Sequence, residues 1–343
     1  MDIINQKIID AVIEKAEKVC PGSLALIGIY GSVATGDDYE RSDLDLLMLI
    51  ENDEERGLST GFILDDRGVG YDIYCTDRAA LKYDAECHHA HLSKLMDSQI
   101  VYVKNRQAYD ELIELRAQAK SFLASEERFG RVDELVDKAK ICYANACLSD
   151  ELGRVRLEAS GVIYYLSDAV MLYHGRYFKR GIKRTFDELA DLPLDEAFAN
   201  TVKRIVVSHD ISELRDLLKE LILFTENHVR REKSKAEPSA DLAGTYEEMY
   251  SNWRNKVEEA AKNGDPFASF MNMCNLHLML SDISDGVEVG TFDVMDEYDP
   301  DTLGNNTKTF DKFLQKYEEV YTRAGIRVKR FRNVDEFVAD YLQ

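Results

Sequence analysis

The sequence predicts an α+β domain followed by a mostly α-helical bundle, and three observations carry that reading. Short apolar runs bounded by turn residues alternate with helical stretches as far as about residue 123. A Gly-Ser turn follows one of these runs, and a D-x-D pair heads the next. From Arg131 onward the strand signal nearly vanishes and helical periodicity takes over. The expected division is 1–125 and 126–343, with a sub-boundary at 235–244 (KAEPSADLAG), the best linker candidate.

Each element follows from local pattern. Residues 3–19 have apolar side chains at helical spacing, and Pro21-Gly22 ends that helix. Residues 24–30 (LALIGIY), 43–51 and 69–76 read as strands. Residues 51–61 (ENDEERGLSTG) are polar and read as a loop. Asp77 is placed to cap a helix reaching about residue 90. A short strand at 99–103 and a helix at 106–123 complete an α-β-α-β-β-α-β-α order. Helical periodicity then marks 131–150, 152–175, 183–191, 194–208, 211–233, 243–263 and 266–284, joined by short polar turns as in an antiparallel bundle. Residues 285–306, rich in Asp and Gly, read as a loop. A helix at 307–324, a strand at 326–331 and a last helix from Val334 close the chain.

The chemistry concentrates between Gly28 and Ile50. Gly31 allows a sharp turn, and Ser32 is placed to cap the helix that follows. Amides at a helix start bind phosphate. Asp43 and Asp45 lie two apart, on one face of a strand, with Leu44 and Leu46 on the face towards a core. Two carboxylates side by side repel unless a cation lies between them, and an all-oxygen donor set suits Mg²⁺. A third carboxylate is expected on a neighbouring strand. Asp72 fits, because Val69, Tyr71, Ile73 and Cys75 form the opposite, apolar face. Asp65, Asp66 and Asp77 are rivals nearer to turns.

These residues, Gly31-Ser32, Asp43-Leu44-Asp45 and Asp72, resemble the nucleotidyltransferase superfamily with the DNA polymerase beta-like fold. The resemblance covers about residues 20–105. The order of elements also resembles the small antibiotic nucleotidyltransferases acting on aminoglycosides and lincosamides, which carry a helical C-terminal domain. It implies a mixed sheet, and transfer of a nucleoside monophosphate from ATP or another NTP to a hydroxyl with two Mg²⁺ ions. By that resemblance one ion is held by Asp43, Asp45 and the phosphates, the other by all three Asp. Gly31 and Ser32 hold the β- and γ-phosphates, and Asp72 is a candidate to take the hydroxyl proton. Lys179 or Lys183, in the basic segment 173–184 (YHGRYFKRGIKR), matches a lysine that related helical domains bring to the triphosphate. The alternative for that segment is a cationic helix end at its dipole's negative pole. Some relatives take a general base from the helical domain. Glu158 and Asp168, in the apolar helix 152–175, are the candidates, or else partners of Arg154 or Arg156.

Composition narrows the partners. The net charge is −21 over 343 residues. Non-specific nucleic-acid binding needs Lys and Arg on phosphates, so it is not expected. An acidic field favours a cationic small molecule, or serves solubility alone. The six Cys contain no C-x-x-C and read as reduced thiols of a cytoplasmic protein. Cys87, His88, His89 and His91 cluster, but without a second ligand pair at zinc spacing. No signal segment or apolar run near 18 residues points to a membrane. Arg204 and His209 match the R-x4-H spacing of HEPN-type ribonucleases, a two-residue pattern that arises easily by chance, and His209 reads as a helix-end residue. Trp253 and the tyrosines near it read as core.

The functional expectation is Mg²⁺-dependent nucleotidylation, most simply adenylylation, of a hydroxyl on a small cationic acceptor such as an aminoglycoside-like molecule, releasing pyrophosphate. The alternatives are nucleotidylation of a protein or tRNA, as by toxin-antitoxin transferases, and a non-catalytic nucleotide-binding module. Oligomeric state is open.

Overall fold

The computed structural model describes residues 3–51, 57–231 and 234–342. The chain divides into two compact units, Met1–Arg230 and Arg231–Gln343.

The first unit begins with α1 (Ile3–Val19), β1 (Leu24–Tyr30), α2 (Gly31–Thr35), β2 (Asp45–Ile50), β3 (Thr60–Leu64), β4 (Val69–Ile73), β5 (Cys75–Thr76), α3 (Arg78–Ala85), α4 (Ser93–Met96), β6 (Gln99–Val103) and α5 (Arg106–Ala124). Four strands form a mixed sheet in the order β5-β2-β1-β6. β1 is antiparallel to β2 and β6, while β2 is parallel to β5. β3 and β4 form a separate antiparallel hairpin.

The sheet has a core on each face. Ile9, Val12 and Ala16 of α1 pack with Ile27, Leu44, Leu46, Met48, Val69, Tyr71, Ile73 and Cys75. Leu47 and Leu49 point the other way, into the core shared with the helices. The period-2 alternation thus sends Leu44 and Leu46 into one core, and Asp45 shares its face with Leu47 and Leu49.

Six of the expectations shift. Residues 60–61, expected as the tail of a loop, open the strand Thr60–Leu64; within that expected loop, 52–56 lies outside the described residues. Its alternation was hard to read because Ile63 points outward, 71% exposed. Asp77 does cap α3, accepting from the Ala80 amide at 2.7 Å. However, the helix stops at Ala85 rather than near 90, since Cys87 takes a left-handed φ of 51°. Ser32 lies within the first turn of α2 and not at its cap, which is Tyr30 without a side-chain bond. Asp43 precedes β2, with only Asp45 in the strand. Residues 326–331 form no strand. Residues 303–306, expected in the Asp- and Gly-rich loop, open a helix.

The unit continues with α6 (Arg128–Cys147), α7 (Leu152–Tyr173), α8 (Thr185–Ala190), α9 (Glu196–Val207) and α10 (Ile211–His228). α6 lies along α7, and α10 packs on α6, α7 and α9. Asp195 and Asp210 cap α9 and α10 through their side chains, as short acidic residues at helix starts do. The second unit holds α11 (Thr245–Met249), a π-helical turn (Tyr250–Arg254), α12 (Asn255–Asn263), α13 (Pro266–Gly286), α14 (Leu303–Arg323) and α15 (Val334–Tyr341). Its own core includes Phe310, Phe313, Tyr317 and Tyr321. Trp253 packs against that core. Among the described residues no helix is long and apolar enough to cross a membrane.

Candidate functional site

The Gly-Ser turn and the D-x-D pair meet. Tyr30, the last residue of β1, stands opposite Asp45, the first of β2. Gly31 then turns with φ of 68°. A Cβ added there would lie 1.9 Å from Asp45 Oδ2, so the carboxylate occupies the space a side chain would take. Only glycine fits, on both conformational and steric grounds. The short helix α2 is held by Thr35, whose hydroxyl donates to the Gly31 and Ser32 carbonyls, and by Gln99 Nε2 donating to Ala34 O at 3.0 Å.

Asp45 is a strained carboxylate in this setting. Burial first, and the charge of Asp43 second, push its carboxyl up to about 6. The Tyr30 hydroxyl lies 2.9 Å from that of Tyr74, and burial raises Tyr30 as well.

Asp72 is placed differently. It sits on β4, exposed, opposite Gly61 in the hairpin. Counted back along the parallel ladder from Met48 opposite Cys75, Asp72 falls level with Asp45, but the ladder itself begins only at Cys75. Among the described residues no three His, Cys, Asp or Glu side chains are gathered so as to hold a metal. The structure sets Asp43 beside Asp45 and carries Asp72 on β4, a hairpin strand that packs against β2.

The basic segment after α7 crosses to the turn. Arg184 makes a two-pronged contact with Asp37, through Nη2 at 2.6 Å and Nε at 3.0 Å to Oδ1. Lys183 Nζ donates to the Asp37 carbonyl at 2.6 Å. These cations hold the Asp37 carboxyl down at about 2. Buried Glu188 accepts from the backbone amides of Lys179 and Arg180, at 2.9 and 2.8 Å, which fixes the segment's path. Between this segment, α8 and the end of α2 lies a cavity of about 340 Å³. Arg176, Lys179, Arg180 and Thr35 line it. Lys183 is engaged as a tether, while Arg176, Lys179 and Arg180 of the same basic segment line the cavity, Arg180 with its Nε donating to Glu188 at 3.2 Å.

The histidines of 88–91 each find a carboxylate. His88 Nε2 lies 3.1 Å from Glu86, His89 Nε2 3.3 Å from Asp84, and His91 Nε2 3.3 Å from Asp168. Cys87 is fully buried, and burial pushes its thiol up to about 12. Glu158 is buried and pairs with Arg154 at 3.3 Å. His209 Nδ1 meets Arg156 at 3.0 Å between α9 and α10, while Arg204 pairs with Glu220 on α10.

Asp168 is 0% exposed, and neither of its oxygens has a hydrogen-bond partner of good geometry. Burial pushes its carboxyl up to about 7. The folded state keeps a proton that the unfolded chain releases near 4, so stability falls as pH rises from about 4 to about 7 and stays lower above. Asp168→Asn is expected to unfold at higher temperature than the parent at pH 8, by about 1–3 kcal/mol, with the gap closing near pH 4. Equal melting curves at both pH values would remove the basis for a raised carboxyl.

Residues 6–138 match the family model of the nucleotidyltransferase domain. Among solved structures, a nucleotidyltransferase-like protein from Exiguobacterium sibiricum is similar, at 15% identity over 76% of this chain and 92% of that one, with a TM-score of 0.37. No curated protein matches the chain. The Gly31–Asp45 contact at the sheet lies within the stretch that this model matches, and the first unit therefore carries a nucleotidyltransferase domain over residues 6–138.

Proposed function

We propose that the protein transfers a nucleoside monophosphate, most simply AMP from ATP, to a hydroxyl of a small cationic acceptor. The observation that supports this most is the Asp45 carboxylate packed into the Gly31 turn, beside Asp43.

The donor set fits a hard divalent cation. Mg²⁺ is bound through one or two carboxylates with substrate phosphates completing its shell. Asp43 and Asp45 would hold it, and their mutual repulsion and burial are the kind of cost such an ion offsets. When bound it would supply charge neutralisation at the transferring phosphate. A second ion would draw on Asp72.

The chain's own residues supply the rest. The Gly31 and Ser32 amides receive the β- and γ-phosphates, and Arg176, Lys179 and Arg180 face them from across the cavity. The acceptor oxygen attacks the α-phosphorus, the bond to the pyrophosphate oxygen breaks, and pyrophosphate leaves with that electron pair. The hydroxyl proton passes to a carboxylate, for which Asp72 is our candidate. Residues 1–125 form the catalytic part in this reading, and the acidic surface, net −21, draws a cationic acceptor.

The test is incubation with α-labelled ATP and Mg²⁺, alone and with a panel of aminoglycosides and lincosamides. Label on a small molecule with release of pyrophosphate is the expected outcome. Label on protein or tRNA instead would redirect the acceptor, and nucleotide binding without turnover would sink the reading. Lys179→Ala is expected to raise KM for ATP about tenfold, the loss of one charge-assisted contact, with a smaller change in kcat.

A further inference from the structure

A second cavity, of about 670 Å³, lies against α7 on the side of the 176–184 segment that carries Phe178 and Ile182. It is lined mainly by rings and aliphatic side chains, including His91, Tyr164, Phe178 and Ile182, with the hydroxyls of Ser167 and Thr185. Among the described residues no Lys, Arg, Asp or Glu lines it. The His91 ring stacks between two others, 5.1 Å from Tyr164 and 4.9 Å from Phe178. Tyr165 is already taken, since Lys138 stands over its ring at 5.9 Å.

Behind His91 lies Asp168, fully buried and without a good hydrogen-bond partner, its Oδ1 3.3 Å from His91 Nε2. A buried carboxylate is costly unless it is compensated, and Asp168 has only the Ala90 backbone and the neighbouring histidines to do so. His91 does not supply a full positive charge, because burial and neighbouring His89 push its imidazole down to about 4. Neutral rings in front of a weakly compensated carboxylate favour a ligand that brings its own positive charge, through both cation–π attraction and the carboxylate's field. The flat, apolar lining favours a ring over a sugar. The cavity shares a wall with the one at the end of α2: Arg176, Lys179 and Arg180 of the 176–184 segment line that one, and Phe178 and Ile182 line this one.

We propose that this cavity binds the acceptor and that the acceptor is a hydroxyl-bearing aromatic amine, its ring on Tyr164 and Phe178 and its ammonium drawn towards Asp168 behind His91. The hydroxyl rests on the transfer reading above; the ring and the ammonium do not. In this site Asp168 is a positioning residue, acting through His91.

Tyramine, 4-ethylphenol and ethanolamine separate the elements: ring with amine, ring without amine, and amine without ring. Calorimetric titration of the full chain at pH 8 is expected to show saturable tyramine binding, with 4-ethylphenol and ethanolamine each at least about tenfold weaker. Tyr164→Ala, at a half-exposed ring that the fold can lose, is expected to weaken tyramine about fivefold or more and leave MgATP binding unchanged. Asp168→Asn is expected to weaken tyramine about tenfold and 4-ethylphenol hardly at all, a split that a merely structural role would not give. Equal affinity for tyramine and 4-ethylphenol, preference for adenosine, or unchanged tyramine binding in Tyr164→Ala would each overturn the proposal. Tyramine binding without transfer from MgATP, while another acceptor is labelled, would leave a site for aromatic amines and overturn its assignment to the acceptor.

Discussion

Asp45→Asn is expected to lower nucleotidyl transfer by at least about a thousandfold while making the metal-free protein more stable. The two effects have one origin. Asp45 is held against the Gly31 turn and beside Asp43, where burial and like charge push its carboxyl up to about 6. An acid raised from its ordinary value near 4 lowers stability as pH climbs between those two values, because the folded state retains the proton longer. At pH 7.5 the full penalty is present. Asp45 is only half-buried, so screening reduces the gain from removing its charge to about 1 kcal/mol. Thermal melts in a chelating buffer check this: the variant should melt higher at pH 7.5 and no higher at pH 4. Adding MgATP should then reverse the order, since a ligand stabilises only the protein that binds it. Turnover of Asp45→Asn within tenfold of the parent would remove Asp45 from the reaction.

What the sequence disclosed and what it hid divide along physical lines. Gly31 and Asp45 were legible because their geometry is local: a left-handed turn needs glycine, and a period of two sets the facing of Asp45 on β2, whereas Asp43 falls before that strand. The long helices α6 and α7 were legible because one apolar stripe each repeats over five turns or more. β3 was not, since a hairpin strand with an exposed Ile63 and a glycine in its middle lacks the alternation that marks a half-buried strand. The placement of Asp72 depends on which strand claims its backbone, the hairpin or the sheet, and that competition is decided by tertiary packing. The choice between Lys183 and its neighbours depends on Asp37, which lies 146 residues away in sequence and takes Lys183 and Arg184 as partners. The pairing of His91 with Asp168 likewise joins two segments that no spacing rule connects. Side chains on α7 could be placed on a helix from periodicity, but burial of Asp168 without a partner is visible only when the facing loop is in place.

Gly31→Ala is expected to lower transfer by about a hundredfold without touching any group that performs chemistry. Two costs act at this position. A left-handed φ of 68° with a Cβ costs about 1 kcal/mol or more in backbone strain. The larger cost is steric, because the added carbon falls 1.9 Å from Asp45 Oδ2 and 2.7 Å from its Cγ. The carboxylate must swing away or the turn must open, and either shift of about 1 Å breaks the alignment of the Gly31 and Ser32 amides, our proposed phosphate donors, with Asp43 and Asp45. A thermodynamic cycle separates the two costs. In an Asp45→Gly background the carbon meets no carboxylate, so Gly31→Ala should there cost only the backbone strain of about 1 kcal/mol. In the parent it should cost more, and the difference measures the Gly31–Asp45 contact itself. Equal destabilisation in both backgrounds, or full turnover in the single variant, would show that the turn and the carboxylate are not in contact in solution, and the catalytic reading of both would fall together.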